Sequence, residues 1–167
     1  ELLRQQPTRT DLRVLLGRVL TRLDSKPAAL EHLRAAYDQS PGDAVIGLEL
    51  VDAFLQLSRV NDASAVLKRL STVDIEDPAL RNRVAAALID NGMRRELLGM
   101  LQRAEGRHFL DASGRLLLAE SLAADGQQDA ASKSYRELLA NDPSPAALAS
   151  AAAFERESGR PQVAEEL

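Results

Sequence analysis

His108, Asp111 and Ser113 are close together in the chain and are the side-chain types that supply a base, an orienting acid and a nucleophile in hydrolytic sites. Such chemistry needs the base to reach the nucleophile, the acid to hold the base and donors to face the developing oxyanion. Nothing in this spacing brings a base, an orienter and an oxyanion site together, so no catalytic residue is assigned. His32, the other histidine, lies in a different segment. Neither histidine has a second ligand three or four residues away, as a helical zinc site requires, so no metal site is assigned. The chain has no cysteine, which removes thiolate ligands and disulfides. Asp125 with Asp129 and Glu155 with Glu157 read as helix-flanking or solvent-facing charges. Gly92 and Gly126 read as punctuation between helices rather than a phosphate loop. The chain is expected to be a non-enzyme without a cofactor.

Any other function must be carried by the elements that position surface side chains, and these repeat. Gly17, Val51, Ala85, Ala119 and Ala153 form a column of small residues spaced 34 apart. Leu16, Leu50, Val84 and Leu118 precede it by one place, and Leu20, Phe54, Leu88 and Leu122 follow it by three, all on one helical face. A second helix carries Ala29, Ala63, Leu97 and Ala131, then Leu33, Leu67, Leu101 and Tyr135, then Ala36, Leu70, Ala104 and Leu138. Asp24 to Pro27, Ser58 to Asn61, Asn91-Gly92 and Asp125-Gly126 separate the two helices of each unit, and Pro41 and Pro143 close the first and fourth units. Each unit is therefore a helical hairpin too small to bury its own apolar face, stabilised by its neighbours.

These columns resemble the tetratricopeptide repeat family, whose 34-residue unit pairs an A helix with a B helix. Leu118-Ala119, Leu122, Gly126, Ala131, Tyr135, Leu139 and Pro143 match its pattern best, followed by Leu16-Gly17, Leu20, Ala29, Leu33, Ala36 and Pro41. The second and third units depart from it, with Ser58 for the turn glycine, Leu97 for an alanine, and Ile75 and Phe109 for the closing proline. The resemblance implies an all-α fold, an α-solenoid of antiparallel hairpins in a right-handed superhelix. Residues 1–9 are expected to end a preceding repeat, 10–43, 44–77, 78–111 and 112–145 to form four repeats, and 146–167 a truncated fifth, in one continuous solenoid. Glu1 to Pro7 repeats the residue types of Glu137 to Pro143, so the first residue is expected inside a B helix of a longer array.

Composition limits the partners. Hydrophobic residues make up 45% of the chain but aromatic residues only 3%, so the core is built from Leu, Ala and Val. Arginine outnumbers lysine 18 to 3, a bias expected of a GC-rich bacterial genome. The net charge of −4 argues against nucleic acid, whose backbone is held by clustered cations. The four full units carry 0, −3, +2 and −2. The acidic loop Asp74-Ile75-Glu76-Asp77 is read as neutralised by Arg81 and Arg83 across the turn. No segment is read as inserting into a membrane.

In the family the A helices line the concave groove, and the resemblance carries that assignment to Val14, Leu48, Asn82 and Leu116, then to Arg18, Asp52, Ala86 and Glu120. Thr21 with Arg22, Leu55 with Gln56, Ile89 with Asp90, and Ala123 with Ala124 follow. Leu48, Leu55, Ile89 and Leu116 are expected to form an apolar stripe between a positive pole at Arg18 and Arg22 and negative residues at Asp52, Asp90 and Glu120. Such a stripe suits an amphipathic helix or extended peptide of another protein. The alternative is that these leucines pack between repeats and Arg18 pairs with Asp52. The family's clamp for acidic C-terminal tails uses Lys and Asn where this chain has Val14 and Arg18, so that specialisation is not expected. The expected role is a scaffold within a bacterial envelope or exopolysaccharide-export protein that recruits a periplasmic enzyme. A cytosolic adaptor, a spacer, or self-association through exposed terminal repeats is the alternative.

Overall fold

The computed structural model describes residues 9–166, and the reading of Glu1 to Pro7 as a B helix lies outside them. The described residues form ten helices and no strand: α1 Thr10–Arg22, α2 Lys26–Gln39, α3 Ala44–Gln56, α4 Val60–Leu70, α5 Pro78–Asp90, α6 Arg94–Gly106, α7 Ala112–Ala124, α8 Gln128–Asn141, α9 Pro145–Glu157 and α10 Pro161–Glu166. Odd-numbered helices are A helices and even-numbered ones are B helices.

The A-helix starts after α1 share one device. Asp43 accepts from the Val45 and Ile46 amides at 2.9 and 3.1 Å, Asp77 from Ala79 at 3.0 Å and Asp111 from Gly114 at 2.8 Å. These caps satisfy amide groups that an opening helical turn leaves without partners. Ser144 performs the same task for α9, accepting from Ala147 at 3.3 Å. It lies one place earlier than the period requires.

The A-helix ends are equally regular. Asp24, Ser58, Gly92, Gly126 and Gly159 all have positive φ, between 56° and 79°. The amide after each donates to a carbonyl five residues back, at Leu20, Phe54, Leu88, Leu122 and Glu155, over 2.8 to 3.0 Å. This is the bonding of a Schellman end, for which glycine is preferred but not required. Ser58 and Asp24 therefore make the same turn as the glycines, and the missing glycine leaves that geometry unchanged.

The shared acceptor position also reveals a correction. The loop before α3 has four residues, Ser40 to Asp43, whereas the loop before α9 has three, Asp142 to Ser144. The period thus slips by one before the fifth hairpin. Ala153 leaves the small-residue column, the buried Ala151 falls in line with Leu16, Leu50, Val84 and Leu118, and Glu155 takes the place held by Leu20, Phe54, Leu88 and Leu122.

The chain divides into two compact units, one ending at Glu96 and one beginning at Leu97, within the first turn of α6. The first is built on Ala29, Leu33, Leu50, Val51, Leu67, Leu70, Val84 and Leu88, all essentially inaccessible. Close approach is set by glycine: a Cβ on Gly17 would lie 2.6 Å from Leu33 Cγ, and one on Gly47 would lie 2.8 Å from Leu70 Cδ2. The second unit is built on Leu101, Ala119, Ala131, Tyr135, Leu138 and Ala151, with Phe154 packed on Tyr135 at a centroid distance of 5.1 Å.

Candidate partner-binding surface

The sequence-predicted groove residues separate into two environments. Val14 and Leu48 are buried in the first unit, Leu48 with only 5% of its surface exposed. Leu48 belongs to the packing of α3 and not to an apolar stripe open to a partner, because hairpins this small use most of each A helix for contact with neighbours. Asn82 of α5 and Leu116 of α7 are half-buried. Arg18, Arg22, Asp52, Leu55, Ile89 and Glu120 are exposed. Leu55 retains 37% and Ile89 49% of its surface, so on α3 and α5 the apolar stripe is reduced to this pair, one period apart.

The charges between them are arranged differently from the expected row. Arg18 of α1 donates Nε to Glu49 Oε1 of α3 at 2.9 Å and brings Nη2 to 2.8 Å of the same oxygen. Arg18 thus pairs with Glu49 rather than Asp52: its partner on the next A helix lies three residues, nearly one helical turn, short of a full period. The Asp52 carboxyl is pushed above its ordinary value by loss of water and by the Glu49 charge, against the pull of Arg83 from α5. Glu49 and Arg83 form a row with Leu15 and Leu117, one place after Val14, Leu48, Asn82 and Leu116. The same 34-residue shift would have exposed that row to sequence reasoning. In the second unit, Glu120 accepts from Ser150 Oγ of α9 at 2.8 Å.

The residues first considered for catalysis have structural settings. Asp111 caps α7, Ser113 is exposed in that helix's first turn, and His108 holds a positive φ of 61° in the turn that ends α6. His32 is half-buried on α2. Among the described residues no three His, Asp or Glu side chains converge as metal ligands, and no helix is long and apolar enough to cross a membrane. The acidic loop also differs from expectation. Arg81 donates Nη1 to the backbone carbonyls of Ile75 and Glu76, at 3.1 and 3.3 Å, instead of meeting the loop carboxylates.

Residues 27–88 match the model of the tetratricopeptide repeat family. No curated protein matches the sequence. Among solved structures, YrrB, described as a tetratricopeptide repeat protein with an unusual peptide-binding site, is 16% identical with a TM-score of 0.68, covering 98% of this chain and 85% of its own. MamA from Desulfovibrio magneticus RS-1 is 16% identical with a TM-score of 0.63, over 94% of this chain and 89% of its own. A putative kinesin light chain from Podosopora anserina, with nearly identical repeats of this type, is 22% identical with a TM-score of 0.58, over 96% and 92%. At these identities the likeness is one of fold.

Proposed function

Because residues 27–88 match the tetratricopeptide repeat model and the chain shares that fold, we propose that it is a non-enzymatic scaffold holding another protein through a helix or extended peptide laid across α1, α3 and α5. The observation that carries this reading is the exposure of Leu55 and Ile89 on successive A helices, beside the Arg18–Glu49 pair and the Asp52–Arg83 couple. Apolar anchors give affinity, and flanking charges of both signs fix the direction of the bound segment. The peptide-binding site named for YrrB supports a peptide as the bound form.

The test compares capture of partner proteins by the intact chain and by a Leu55→Glu/Ile89→Glu variant. Both positions are exposed, so the variant should keep its helical circular dichroism and lose the partner. Equal retention by the two forms would overturn the A-helix reading and favour a spacer or a self-associating element.

We further place the protein in the bacterial periplasm, as part of an envelope or exopolysaccharide-export protein that recruits a periplasmic enzyme. The arginine- and alanine-rich composition supports a GC-rich bacterial source. Cell fractionation of the tagged full-length protein checks the compartment, and recovery in the cytosolic fraction would point to a cytosolic adaptor instead.

A further inference from the structure

The second unit contains a cleft of about 430 Å³ between α7, α8 and α9. That volume lies inside the range of about 300–1,000 Å³ common to small ligand sites. Tyr135 and Phe154 form an aromatic wall, and Ala123 and Ala124 add apolar surface. Glu120 from α7 and Glu157 from α9 line the same cleft, and both are exposed. Ser150 joins the polar side to the wall: its Oγ donates to Glu120 Oε1 at 2.8 Å and lies 3.1 Å from the Tyr135 hydroxyl.

The charge of this cleft is uncompensated. In the first unit Glu49 has Arg18 against it, and Asp52 feels Arg83. Among the described residues no lysine or arginine pairs with Glu120 or Glu157. Arg160, near in sequence, is engaged elsewhere, with Nε 2.7 Å from Glu155 Oε2 and its guanidinium 5.7 Å from the centre of the Phe154 ring. The Tyr135 hydroxyl registers the excess negative charge. Burial is the main cause of its raised pKa, the Ser150 hydrogen bond opposes the rise, and the charges of Glu120 and Glu157 add to it.

We propose that this cleft receives a basic side chain, lysine or arginine, of the bound polypeptide. Its aliphatic stem lies along the aromatic and alanine surface, and its cationic head sits between the two carboxylates. The proposal rests on the scaffold reading in that the ligand belongs to a partner chain, and it adds the chemistry by which one residue of that partner is selected.

The test is a titration of the isotope-labelled chain with N-acetylarginine amide, followed by amide chemical shifts, with N-acetylglutamine amide as the neutral probe. Arginine amide should shift the signals of Glu120, Ser150 and Glu157, and glutamine amide should not. The Glu120→Gln/Glu157→Gln variant keeps the oxygen to which Ser150 donates. It should weaken the arginine response about tenfold, since each exposed charge pair contributes at most about fivefold. Shifts that are absent, scattered over the surface, or unchanged in that variant would overturn the proposal. The two readings fail separately. A captured partner that depends on Leu55 and Ile89 but binds the glutamine variant equally overturns the basic-residue site and leaves the scaffold intact. Localised arginine binding alongside a partner indifferent to Leu55 and Ile89 keeps the site and overturns the path across α3 and α5.

Discussion

Asp52 is a residue whose protonation the surrounding helices have biased without burying it fully. More than a third of its surface stays open, yet neighbouring helices withdraw water and Glu49 lies one turn away on the same helix face. A carboxyl with a raised folded-state pKa holds its proton to higher pH in the folded chain than in the unfolded one. Its charged form therefore lowers stability above the folded-state pKa, and the penalty disappears below the unfolded value near 3.8. Asp52→Asn should raise the melting temperature at neutral pH and leave it unchanged in strong acid. Melts recorded across that range check the sign, and a variant less stable at pH 7 would show that Arg83 dominates. Arg81 is the opposite case, a charged residue at 1% exposure that reaches the carbonyls of Ile75 and Glu76. It fastens the loop before α5 through the backbone, so the loop's carboxylates are not its counter-charges.

Elements in this fold are held by close contact between helices, and glycine sets the distance where α1 meets α2. Replacing Gly17 by alanine adds up to about 1 kcal/mol of helix propensity. The new Cβ would nevertheless stand 2.6 Å from Leu33 Cγ, near the root of a side chain that is only 1% exposed. Overpacking of this kind costs about 1–3 kcal/mol, so a net loss of about 1 kcal/mol is expected. Gly99 in α6 is the control. A Cβ there meets only the flexible tip of Arg103, at 3.7 Å, and Gly99→Ala should stabilise the chain by about 0.5–1 kcal/mol. Urea denaturation of the two variants separates the effects, and equal shifts in one direction would contradict the packing argument.

At the scale of the whole molecule, each hairpin is stable only through its neighbours, so damage to one core position spreads. Leu48, 5% exposed, and Leu55, 37% exposed, stand two turns apart on α3 and test this directly. Leu48→Glu places a carboxylate in an apolar interior and should remove several kcal/mol of stability, with loss of helical signal beyond α3 itself. Leu55→Glu should leave the thermal melt within about 0.5 kcal/mol of the parent, as surface changes do. Identical melts for both would mean that Leu48 is not part of the core. The tolerance at Leu55 is also what makes it a usable probe of partner binding.

Helix content, helix order and hairpin pairing were determined by the sequence alone, because apolar and small residues recur in register and a one-dimensional array depends on little else. The turn geometry at Gly92 and Gly126 was legible for the same reason: glycine is the residue that most readily adopts a positive φ. Three features needed the tertiary structure. A one-residue deletion before Gly159 was legible from the register of Gly159 and Ala164, but its place in the loop before α9 was not, because the column of alanines continues by coincidence and hides that Glu155 occupies a core position. The choice of Glu49 as partner of Arg18 depends on side-chain reach between adjacent helices, which no periodic row encodes. Which leucines face a partner and which face a neighbouring helix was decided by packing: Leu48 and Leu55 look alike in a list of apolar positions, and only the placement of α2, α4 and α5 around α3 buries one and leaves the other exposed.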